Sequence, residues 1–121
     1  MLKLISVMAA LLVVAGCTSE PKGYPVFFSQ DATVITPEAQ AVITQIAQRN
    51  AEQHPAHIIV EGQADGATPQ ETALAEARAA RVAAALAAAG IDPTRIERHP
   101  GTPEPGASGV AARKVLVTFS P

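Results

Sequence analysis

The sequence predicts an α/β sandwich: a small mixed sheet of four strands with two helices packed on one face. Three observations carry this. Two Thr-Pro pairs, Thr36-Pro37 and Thr68-Pro69, each open a stretch with apolar residues at helical spacing. Short β-branched or aromatic runs lie before, between and after those stretches. Two amphipathic helices bury their apolar faces most simply on one side of a sheet, and 121 residues suffice for one such domain.

Tyr24 to Phe28, "YPVFF", reads as the first strand. The first helix begins with Thr36 as N-cap, Pro37 at the first helical position and Glu38 against the positive end of the helix. Ala39, Val42, Ile43, Ile46 and Ala47 form its apolar face, and His54-Pro55 stops it. "HIIVEG", His57 to Gly62, is a strand with Ile58 and Val60 on one face. Thr68-Pro69-Gln70-Glu71 matches a capping box, and its helix should run to Ala89 with Gly90 as the stop. Arg95 to His99 reads as a weak third strand, Pro100 to Gly109 as loop, and Lys114 to Phe119 as the strongest strand.

The amino terminus is not domain. Met1-Leu2-Lys3 is followed by an eleven-residue apolar run, Leu4 to Val14, too short for the roughly 20 residues that a spanning helix needs. "VVAGCTSE" resembles the lipobox of bacterial lipoproteins, which makes 1–16 a signal peptide, Cys17 the lipidated residue and 17–23 a short tether to a domain over 24–121. The competing reading is an ordinary signal peptide followed by a chance cysteine. Cys17 is the only cysteine and so has no disulfide partner to explain it. Thr18 at the second mature position implies the outer membrane, because the resembling lipoproteins use aspartate there for inner-membrane retention. Seven tether residues reach about 25 Å at most.

Without Lys3 the mature chain has 8 basic and 11 acidic residues, a formal charge of −3. It has no basic run and only four aromatic residues, so a nucleic-acid platform is not expected. His54, His57 and His99 lack the spacing and companions of a metal site, and no cofactor motif is present. "GASG" lacks the strand and helix of a nucleophile elbow. Asp65 and Glu71 are the only candidates for a pair of glycosidase acids, and an apolar stripe with an arginine suits them poorly. An enzyme is not expected.

One residue breaks the pattern. On the second helix Arg78 lies in the row of Leu74, Val82 and Leu86, within about 30° of the centre of the apolar face. Three readings stand: a snorkelling side chain, a structural ion pair, or an anion receptor whose planar fork suits a carboxylate. Asp65, in the turn before this helix, is the nearest counter-charge. Together the two would suit a zwitterion, with ammonium at Asp65 and carboxylate at Arg78.

The stretches "IIVEGQAD", "LAEARAARVAAALAAAGID", "RIE" and "ARKVLVTF" resemble the OmpA-like C-terminal domain of the peptidoglycan-associated lipoprotein type. That family shows Gly-His-Thr-Asp after a strand, then Asn-x-x-Leu-Ser-x-x-Arg-Ala-x-x-Val. The resemblance implies a β-α-β-α-β-β fold, no enzymatic activity, and noncovalent binding of the peptidoglycan diaminopimelate by Asp65 and Arg78. It matches Leu74, Ala79 and Val82, Gly90-Ile91 and Arg113-Lys114-Val115; it departs at Gln63, Ala64, Glu71, Ala75 and Ala112. The expectation is a lipid-anchored periplasmic protein on the outer membrane that binds peptidoglycan, with envelope proteins as further partners. The alternative is a divergent envelope-assembly subunit without peptidoglycan affinity, in which Asp65 and Arg78 form a structural clip.

Overall fold

The computed structural model describes residues 23–64, 68–101 and 112–121. The signal peptide, Cys17, the tether up to residue 22, Asp65, and residues 102–111, which include most of the expected loop, lie outside the described residues.

The elements are β1 (Tyr24–Phe27), α1 (Pro37–Gln53), β2 (His57–Gly62), α2 (Pro69–Ala88), a 3-10 turn (Pro93–Arg95), β3 (Ile96–Pro100) and β4 (Lys114–Ser120). Each helix starts where its threonine dictates. The Thr36 hydroxyl accepts from the Ala39 N–H at 3.1 Å, and the Thr68 hydroxyl accepts from the Glu71 N–H at 3.3 Å. His54 ends α1 in the left-handed region, at φ 48°. Gly90, at φ 104°, ends α2: its N–H donates to Ala87 and the Ile91 N–H donates to Leu86. These two bonds make a Schellman motif, which places Ile91 in the core.

The strand order is β1-β4-β2-β3. β4 is antiparallel to both of its neighbours, while β2 and β3 are parallel and joined through α2. The mixed sheet follows from that crossover, since a parallel neighbour needs a helix-length return. The final strand sits in the middle: Val115 pairs with Val26 on one side and Gly62 on the other, and Val117 with Tyr24 and Val60, both valines on the helix-covered face. There they bury against Ile43 and Ile46 of α1 and Val82 and Leu86 of α2. Phe27, 44 % exposed, lies on the open face.

Five boundaries differ from expectation, each by one residue; α2 ends at Ala88 with Ala89 as its C-cap, and β4 runs on to Ser120. Phe28 falls just beyond β1, turning inward with its N–H donating to the Arg113 carbonyl. Arg95 belongs to the 3-10 turn instead of β3, because the Asp92 carboxylate accepts from the Thr94 N–H and hydroxyl and winds the chain there. Arg95 then bonds Asn50 of α1. Pro100 closes β3 instead of opening the loop; on an edge strand its missing N–H costs no ladder bond.

β2 and α2 approach closely at Gly62, where a Cβ would collide with the Ala75 carbonyl. Glycine on the strand and alanines at 75 and 79 set α2 close to the sheet end.

Candidate functional site

The ends of β1 and β2 and the start of β4 meet at one end of the sheet, where Phe27 pairs with Lys114 and Gly62 with Val115. Both helix N-termini point to this end, since α1 returns the chain to the start of β2 and α2 returns it to the start of β3. Here a cleft of about 240 Å³ opens. Gln30 and Asp31 line it from the loop after β1, Gln63 and Ala64 from the end of β2, Glu71, Leu74 and Arg78 from α2, and Ala112 and Arg113 from the approach to β4.

Arg78 is 3 % exposed, which overturns the snorkelling reading: the charged head is buried along with its stem. Its Nε donates to the Ala32 carbonyl at 2.9 Å and its Nη2 to the Ser29 carbonyl at 3.1 Å. Those two carbonyls belong to the first and last residues of a turn closed by the Ala32 N–H onto Ser29 at 3.1 Å. Arg78 therefore clamps that turn from the inside, with its guanidinium carbon 5.6 Å from the centre of the Phe28 ring. Asp31 sits in the clamped turn at φ 54°, a backbone state that aspartate tolerates better than most side chains.

Burial lowers the pKa of Arg78, the nearby charge of Arg113 lowers it further, and Asp31 opposes both. The guanidinium remains a cation at any ordinary pH. Two cations and two carboxylates, Arg78, Arg113, Asp31 and Glu71, thus line one small cleft.

The helix begins at Thr68, as the capping box predicts, and this turns Glu71 towards the cleft. Glu71 Oε2 is buried with no hydrogen-bond partner, and so is Arg113 Nε. Among the described residues, no ion pair involves Glu71, Arg78 or Arg113. Asp65, expected beside Arg78, lies outside the described residues. Arg113 is the site residue that sequence reasoning passed over as framework; its place one residue before a strand that runs away from the cleft end was the available signal.

A larger cleft of about 650 Å³ lies on the other flank of α2, between Thr72, Glu76 and Ala79 and the Arg98–Gly101 end of β3. It holds neither Arg78 nor Glu71. On the open face of the sheet, His57 and His99 each stand 3.7 Å from the Glu97 carboxylate. Among the described residues, no three His, Cys, Asp or Glu side chains gather as a metal site, and no helix is long and apolar enough to cross a membrane.

The OmpA family matches residues 27–113. No curated protein matches the chain. Among solved structures, the chain is similar to the peptidoglycan-associated lipoprotein from Burkholderia pseudomallei, at 25 % identity and TM-score 0.69, over 80 % of this chain and 90 % of that one. It is similar in fold to the OmpA-like domain of FopA1 from Francisella tularensis, at 19 % identity and TM-score 0.67, over 80 % and 71 % of the two chains. The periplasmic domain of Helicobacter pylori MotB is likewise similar in fold, at 22 % identity and TM-score 0.65, over 82 % and 76 %. The match places the chain among structural and binding domains rather than enzymes.

Proposed function

Because this chain belongs to the OmpA family, we propose that it is an outer-membrane lipoprotein that binds peptidoglycan noncovalently and ties the membrane to the cell wall. Residues 1–16 are the signal peptide, Cys17 carries the lipid, 17–23 form the tether and 24–121 the binding domain. The ligand is the diaminopimelate of the stem peptide, its carboxylate received at Arg78 and its ammonium at Asp65.

The observation that carries this reading is a buried arginine, fixed by two backbone carbonyls, in the wall of a polar cleft. A guanidinium held this way keeps its orientation before ligand arrives, so little freedom is lost on binding. The similarity to a peptidoglycan-associated lipoprotein supports the ligand class. The placement of the cleft supports the tether. Gly23 precedes the first residue of β1, while the cleft begins beyond its last, so the binding end faces away from the anchored end. A tether of about 25 Å is then extended by the length of the domain.

One observation favours the second reading, an envelope-assembly subunit without peptidoglycan affinity: Arg78 already spends two of its five N–H groups on the loop. One experiment separates them. The mature chain made soluble by Cys17→Ser is sedimented with isolated sacculi, with and without free diaminopimelate, beside Asp65→Ala, Arg78→Ala and Arg78→Lys. Pelleting that free diaminopimelate competes away and that Asp65→Ala abolishes is expected. Wild type in the supernatant, or equal pelleting of all four proteins, refutes the proposal. For the anchor, palmitate should label wild type and not Cys17→Ser; equal labelling removes the lipoprotein reading.

A further inference from the structure

We propose that the outer edge of β3, with the cleft beside it, is a docking site for an extended segment of another protein that carries an acidic residue. The segment joins the four-stranded sheet as a further strand next to β3. The site lies apart from the cleft at Arg78, and the inference is independent of what that cleft binds.

β3 is the last strand in the order β1-β4-β2-β3, and among the described residues it pairs only with β2. A strand offers N–H and C=O groups to both sides, so an edge leaves one row for another chain. Glu97, Arg98, His99 and Pro100 are all exposed there. The other edge is a poorer template, because β1 has four residues and the second is Pro25, which has no N–H to donate. The proline of β3 stands at its last position and leaves the strand interior intact. Beside β3 runs α2, and between them opens the cleft of about 650 Å³, with Ala75, Glu76 and Ala79 on the helix side and Arg98 to Gly101 on the strand side. An edge strand with a helix and a groove alongside suits an extended peptide: its main chain bonds to the strand, and every second side chain enters the groove. The short side chains of Ala75 and Ala79 leave that groove to the partner.

Charge narrows the occupant. Glu97 and His99 project from the open face, where the Glu97 carboxylate stands 3.7 Å from both His57 and His99 and so meets its partners within the domain. Arg98, between them along the strand, projects from the opposite face into the cleft. It is exposed there and, among the described residues, in no ion pair. A carboxylate on the added strand, at the place facing Arg98, is received by two parallel hydrogen bonds. Glu76 lines the same cleft and disfavours a second acid, so the segment carries one acid among small apolar residues. A second copy of this chain does not fit. Two antiparallel β3 strands related by a twofold axis set one residue opposite its own copy, and in the strand interior that residue is Glu97, Arg98 or His99. Like charges placed directly opposite destabilise such a pair.

The test uses the soluble mature chain (Cys17→Ser) and a phage-displayed library of short random peptides. Enriched peptides are expected to hold one Asp or Glu within a run of alternating residues. A synthetic copy of the strongest is then titrated by NMR, and shifts are expected at Ile96–Pro100 and at Thr72 and Glu76. N-methylation of its residues one at a time should weaken binding at every second position only, because the N–H groups of an added strand point alternately towards β3 and away. Arg98→Glu should lower the affinity at least about tenfold, the scale of one charge-assisted hydrogen bond, and Arg98→Gln should lower it too. The proposal is overturned if no peptide is enriched, if the shifts centre on the cleft at Arg78, if the N-methyl scan has no two-residue period, or if both Arg98 variants bind as wild type does. A dimer of the domain that Arg98→Glu dissociates also overturns it, because the edge then belongs to a second copy.

Discussion

Arg78 offers the sharpest quantitative prediction, because its structural work can be separated from ligand binding. Replacing it by alanine removes two hydrogen bonds from a charged donor, each worth about 1.5–3 kcal/mol. The two losses are unequal. The Ser29 carbonyl keeps the Ala32 N–H, so its share falls at the low end, whereas the Ala32 carbonyl loses the side-chain donor that reaches it. Loss of the contact with Phe28 adds roughly 1 kcal/mol. Against these stands the relief of no longer burying a cation, which offsets part of that sum. The net expectation for Arg78→Ala is a destabilisation of about 3 kcal/mol, or a Tm lower by roughly 15 °C for a domain of this size. Arg78→Lys keeps the charge but can reach only one carbonyl well, and should cost about 1.5 kcal/mol. Urea unfolding followed by circular dichroism measures both, with an unchanged m-value required. If lysine lies within about 0.3 kcal/mol of wild type, the guanidinium fork is not what holds the turn.

Gly62→Ala should be among the costliest single-methyl additions, about 3 kcal/mol, because the new Cβ meets backbone and not a side chain that could swing aside. It should also weaken sacculus binding, since α2 carries Glu71 and Arg78 away with it; a stable variant that binds normally refutes the close strand-helix contact. The Asp92 carboxyl is held below the usual carboxylate range chiefly by the Thr94 N–H, then by the Thr94 hydroxyl. A folded-state value below the unfolded one means stability that is present above about pH 3.9 and lost as pH falls through the depressed value. The Tm gap between wild type and Asp92→Asn should therefore narrow between pH 4 and pH 2, and a gap that stays constant contradicts the cap.

The legible part of this protein was its local chemistry. Thr36-Pro37 and Thr68-Pro69 mark helix starts because their capping bonds and fixed proline φ are decided within four residues. Gly90 marks a stop for the same reason. What sequence did not convey is what distant residues do to one another. Nothing in Lys114 to Ser120 says that it inserts between β1 and β2, because β-branched residues fit either neighbour. The oddity of Arg78 was visible from its position in the apolar stripe, yet its partners are carbonyl oxygens of Ser29 and Ala32, and backbone atoms carry no residue identity to read. Glu71 was visible as a cap; that its carboxylate turns into the cleft depends on how near Gly62 lets α2 come.

The placement of the cleft beyond the far end of β1 has a mechanical meaning. A pull that enters at Gly23 and leaves through a ligand in the cleft runs along the strand axis, and β1 is joined to the sheet by four residue pairs with β4. Loaded in that direction the hydrogen bonds of those pairs are sheared together instead of being peeled one at a time, so they share the force. Drawing the chain in the opposite sense, across the strand, would open the same pairs in sequence. A sheet edge of only four residues is thus oriented to resist the direction of strain that the proposed link between two surfaces would impose on it.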